Sequence, residues 1–160
     1  MSKPIQELLY EAMSGGDLEM SKRLIDENPG LVDLKTPFGS WLHVAAGAGS
    51  LNVVVYLVET IGMNIDEKGG QAIEMPVSSA AADGHIEVVK YLLQKGAILD
   101  ESRPESNPLI AAMYRGHASI VTLLLEHGMD PRKDYTGKSV MDYANEYGWP
   151  EVKRILSEAR

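Results

Sequence analysis

The residues of this 160-residue chain best suited to chemistry are four histidines, His43, His85, His117 and His127. Imidazole titrates near neutral pH and is the commonest metal ligand, so acid–base catalysis and zinc binding are the first readings to test. No histidine pair has the spacing of a helical zinc site, and no glutamate accompanies one in a metalloprotease pattern. The run Gly47-Ala48-Gly49-Ser50 has the small residues of a phosphate-cradling loop. It lacks the P-loop lysine, however, and follows a helical pattern rather than a strand. Ser78-Ser79 has no histidine and acid arranged for a nucleophile. The chain contains no cysteine, which excludes a disulfide framework, a thiolate zinc site and a cysteine nucleophile together. These residues predict no enzyme, no metal and no cofactor.

The elements that carry the histidines explain them better. A glycine separates two apolar helical runs at Gly16, Gly49, Gly84, Gly116 and Gly148, with spacings of 33, 35, 32 and 32. A second series, Gly30, Gly62, Gly96 and Gly128, closes each second run in the same phase. Before the first glycine lies a short alanine-rich segment such as Leu109-Ile110-Ala111-Ala112-Met113. After it comes an amphipathic run in which Val88, Val89, Leu92 and Leu93 fall on one helical face, as do Ile120, Val121, Leu124 and Leu125. Each unit is therefore a short helix, a glycine turn, a longer helix and a polar loop. Pro76 and Pro108 suit first helical turns, and Ser40 and Asn107 suit N-caps. His85 and His117 hold the same place in successive units, one residue after the turn glycine.

In period and in motif the chain resembles the ankyrin repeats. The matching residues are Pro76, Pro108, Leu42-His43, Gly84-His85, Gly116-His117 and Gly128-Met129-Asp130-Pro131. Ser78, Ile110 and Asp142 depart from the pattern where the family favours histidine, and Trp41 where it favours proline. The resemblance implies an all-α solenoid of helix–turn–helix units joined by hairpin-like loops. It implies one domain over 1–160, with units near 1–33, 34–66, 67–100, 101–132 and 133–160, the outer two serving as caps. It also implies structural roles for His43, His85 and His117, each bonded to loop backbone. Trp149, which replaces the last such histidine, is expected to pack, since no further loop needs its hydrogen bond.

In such proteins partners meet the concave side, at the loop tips and the two residues before each turn glycine. Those pairs are Ser14-Gly15, Gly47-Ala48, Ala82-Asp83, Tyr114-Arg115 and Glu146-Tyr147. The expected partner-binding set is Phe38, Trp41, Glu74, Arg103, Glu105, Tyr114, Arg115, Tyr135, Lys138, Glu146 and Tyr147. Tyrosine and arginine are enriched among binding hot spots. Phe38, the one phenylalanine, is either an exposed anchor or tucked onto Trp41. Trp41 itself either packs or faces the groove.

Composition bounds the partner. Net charge is −8. Residues 1–80 hold 5 Lys/Arg against 11 Asp/Glu, net −6, and residues 81–160 hold 10 against 12, net −2. Acidity disfavours nucleic acid and anionic membrane and would steer in a protein with a basic patch, or it serves solubility alone. The amino terminus has no signal-peptide run, and the most apolar stretch, Val53 to Val58, is too short to span a bilayer. The expectation is a cytoplasmic monomer that binds a protein partner without catalysis, as an inhibitor or scaffold. The alternatives are a protein like the ankyrin-type immunity proteins, neutralising a basic toxin enzyme, and an accessory subunit of an enzyme complex.

Overall fold

The computed structural model describes residues 3–71, 73–147 and 149–159. Gly148, the last turn glycine of the sequence pattern, and Arg160, the end of its final helical run, lie outside them. The helices come in pairs: α1 (Ile5–Ser14) with α2 (Leu18–Glu27), α3 (Trp41–Gly47) with α4 (Leu51–Glu59), and α5 (Pro76–Asp83) with α6 (Ile86–Gln94). Next come α7 (Pro108–Tyr114) with α8 (Ala118–Glu126), and α9 (Val140–Tyr147) with α10 (Pro150–Glu158). The first helices stack in the order α1, α3, α5, α7, α9, and the second helices in the order α2, α4, α6, α8, α10. Among the described residues the fold is all-α, with no strand, and no helix is long and apolar enough to cross a membrane.

The local reasons are those of the sequence. Pro76 and Pro108 open α5 and α7, where a missing N–H costs nothing. Asn107 caps α7 by accepting from Leu109 N–H at 2.8 Å and Ile110 N–H at 3.2 Å. The longer helix α6 buries Val88, Val89 and Leu92 and turns Glu87 and Lys90 outward, where they pair at 3.0 Å. Packing is most extensive between α3, α5 and α7. Ala45, Ala46, Ala80, Ala81 and Ala112 are buried on these helices, and side chains this small let the helix backbones approach closely.

The connections are only partly hairpin-like. Backbone bridges join Thr36 to Gly39, Gly69 to Glu74 and Asp134 to Ser139. The connection before α7 instead closes as a 3-10 turn, Pro104–Ser106. Proline has no N–H to give to a bridge and its fixed φ suits such a turn. Neighbouring connections are tied by side chains: Ile98 N–H donates to Asp66 at 2.8 Å, Asp130 N–H to Glu101 at 2.9 Å, and Lys68 pairs with Asp100 at 2.8 Å. Burial pushes the Asp100 carboxyl up, but Lys68 and Ser102 outweigh it and hold the group well below the usual carboxylate range.

Candidate functional site

The first-helix face is held in register by one repeated contact. At three junctions the residue after a turn glycine donates to the carbonyl that lies two residues before the preceding turn glycine. Ser50 Oγ reaches Ser14 O at 3.1 Å, His117 Nε2 reaches Ala82 O at 3.1 Å, and Trp149 Nε1 reaches Tyr114 O at 3.1 Å. His85 lies against Gly49, where an added Cβ would meet its Nδ1 at 2.3 Å. Trp149 therefore does more than pack: its bond runs back to the previous unit, so being last removes no acceptor.

His43 bolts two loops together. Its Nδ1 accepts from Ser40 N–H at 3.1 Å, which leaves the proton on Nε2 to donate to Glu74 O at 3.0 Å. Burial holds this imidazole below its ordinary pKa. A base with a lowered folded pKa binds fewer protons folded than unfolded below its unfolded value of 6.5. Its stabilisation is thus complete above that pH and is lost as pH falls toward the folded value. His43→Gln should flatten the fall in unfolding free energy below pH 6.5, read by urea melts at several pH values. An unchanged slope would show that His43 does not titrate this way.

The expected site residues divide by burial. Trp41 is only 2% exposed and donates from Nε1 to Leu31 O at 2.6 Å, so it is packed and not presented. Tyr135 is 8% exposed; its hydroxyl accepts from Asn107 Nδ2 at 2.6 Å and donates to Glu101 O at 3.2 Å, locking two connections. Arg103 is exposed just before the 3-10 turn and Glu105 is exposed within it. Phe38 is 57% exposed and stacks on Tyr10, ring centroids 6.2 Å apart, rather than tucking onto Trp41.

The remaining residues gather at two places. Toward the C-terminal end, Tyr114 meets Tyr147 edge-on at 4.2 Å and Tyr143 at 6.3 Å. Lys138 Nζ sits 4.2 Å over the Tyr143 ring and pairs with Glu146. Burial, then a bond to Tyr147, holds the Tyr114 hydroxyl far above its usual range. Toward the N-terminal end, Tyr10, Phe38, Gly47, Ala48, Glu74 and Asp83 line a groove of about 220 Å³. Arg115 links the two places through Asp83 at 3.6 Å. The set expected from sequence omits Tyr143, although its place four residues before Tyr147 puts both on one helix face. It also omits Tyr10, which only stacking across units brings to Phe38, and Asp83, which lies in the same unit as Glu74 and was named only as one of the two residues before Gly84.

A family model described as ankyrin repeats (3 copies) matches residues 8–103 and 77–160. The chain is 28% identical over 152 residues, 94% of its length, to the Transient receptor potential cation channel subfamily A member 1 homolog of Caenorhabditis elegans, and spans 12% of that protein. It is 43% identical over 54 residues, 32% of its length, to Palmitoyltransferase ZDHHC13 of Mus musculus, and spans 9% of it. With Zygote-specific protein 3 of Chlamydomonas reinhardtii it shares 34% identity over 104 residues, 64% of this chain and 28% of the relative. It thus covers well under a third of each of these proteins.

Proposed function

This chain belongs to the ankyrin-repeat family, a family of protein–protein interaction modules, and from that premise we propose that it binds a partner protein through its first-helix face and loop tips without catalysis. The observation that carries this reading is the half-exposed cluster of Tyr114, Tyr143 and Tyr147, edged by Lys138 and Glu146. Clustered tyrosines supply large contact area at low entropic cost, and a polar rim excludes water around them. The net charge of −8 favours a partner with a basic patch, and an inhibitor that covers such a patch is the form of the reading this acidity supports. The absence of cysteine suits a reducing compartment such as the cytoplasm.

The test begins with a partner captured from the source cells and purified, its affinity measured by calorimetry. Tyr114→Ala and Tyr147→Ala should each weaken binding by more than about 1 kcal/mol and leave the melting temperature nearly unchanged. Lys90→Ala and Glu126→Ala, on the exposed sides of α6 and α8, should leave affinity as it is. The opposite pattern would move the interface to the second helices.

A further inference from the structure

We propose that the groove between Tyr10, Phe38, Glu74 and Asp83 receives an arginine side chain of the partner protein. This deepens the binding function proposed above and rests on it. The groove has room for about seven waters at roughly 30 Å³ each, a fit for one long side chain. One wall is aromatic: Tyr10 and Phe38 lie 28° from parallel, and both rings are exposed. Two carboxylates face that wall. Glu74 Oε1 accepts from Ser79 Oγ at 2.9 Å; burial pushes its carboxyl up, the bond from Ser79 opposes this, and the neighbouring Asp83 adds to the rise. Asp83 is held only loosely, by Arg115 at 3.6 Å. The floor is open because residue 47 is glycine; a Cβ there would already reach Asp83 Oδ2 at 3.4 Å and Ser79 Cβ at 3.7 Å.

The equivalent place before α9 holds a charge that the groove lacks. Lys138 stands two residues before α9, and Glu74 stands two residues before α5. At α9 the chain supplies its own cation, since Lys138 covers an aromatic ring and meets Glu146. At α5 the equivalent residue has the opposite sign, beside a second carboxylate and an uncovered aromatic pair. Lys35, on the loop that carries Phe38, is taken by Glu67. A cation from outside completes the second place as Lys138 completes the first. A guanidinium suits it better than an ammonium, because its plane stacks on a ring while its edge donates to carboxylates.

The probe is the capped pentapeptide Gly-Gly-Arg-Gly-Gly, added to the ¹⁵N-labelled full chain. Its counterparts carry citrulline, which keeps the shape and loses the charge, or lysine. Saturable amide shifts should centre on Gly47, Ala48 and Asp83, with a dissociation constant on the order of 1 mM. The citrulline peptide should bind at least about tenfold more weakly, and the lysine peptide more weakly than arginine. Gly47→Leu, which fills the floor, and the double variant Glu74→Gln/Asp83→Asn should each reduce affinity about tenfold while the spectrum stays folded. Equal binding of the citrulline or lysine peptide, or full binding by Gly47→Leu, overturns the assignment. Shifts centred on Tyr114 and Tyr147 overturn it too, yet leave the proposed binding face standing. That face fails only on the tyrosine variants and the purified partner.

Discussion

Gly84→Ala is expected to lower the unfolding free energy by roughly 2–3 kcal/mol, against about 1–2 kcal/mol for Gly96→Ala. The two glycines have nearly the same backbone, with φ of 86° and 87°, so both variants incur the left-handed penalty of an L-residue. They differ in what surrounds them. A Cβ at Gly84 would lie 2.6 Å from His117 Cε1, whereas at Gly96 nothing lies within 4 Å. Alanine at 84 must therefore push the His117 ring away and break its 3.1 Å bond to Ala82 O. That second loss, about 1 kcal/mol, is the difference expected between the variants. Urea denaturation of both measures it directly. Equal losses would mean that the imidazole stacked on the turn contributes nothing to joining the units.

The second large effect comes from the alanines between first helices. Ala80→Leu and Ala112→Leu should each destabilise by about 1–3 kcal/mol, because both positions are fully buried where α3, α5 and α7 pack most extensively. A leucine there has to force neighbouring helices apart. In a solenoid, stability is close to a sum over neighbouring units, so a wedge at one junction weakens the stack without altering the helices themselves. Helical circular dichroism at low urea should thus match the parent while the melting midpoint falls. A neutral result at both sites would show that the helices do not approach as closely as their small side chains allow.

Much of the architecture is legible in local pattern. Glycines recurring every 32 to 35 residues, proline at first turns, Asn107 as a cap and paired apolar residues at helical spacing each specify structure within a few residues of themselves. The helix pairs and their order follow from these signals, whereas the structural roles of His43 and His117 were implied by the resemblance to ankyrin repeats. The proposed binding face is less completely legible. Tyr114, Tyr147, Lys138 and Glu146 come together at the C-terminal end, and Phe38 is exposed as an anchor would be.

What the tertiary structure alone decided is which side chains are free. Trp41 and Tyr135 look like interface residues by type, but each finds a buried hydrogen-bond partner on another element. Trp149 is 44% exposed and still holds Tyr114 O, 35 positions back. Tyr10 reaches Phe38 across a unit boundary, and Glu74 reaches the same groove from the next unit. Apart from the ten-position bond of Trp41 to Leu31, these hydrogen bonds span about one period, 28 to 36 positions. A pattern repeating with that period says that unit stacks on unit. Whether a given ring is covered depends on the size and polarity of the one residue opposite it in the neighbouring unit, and that pairing is set only when the units pack.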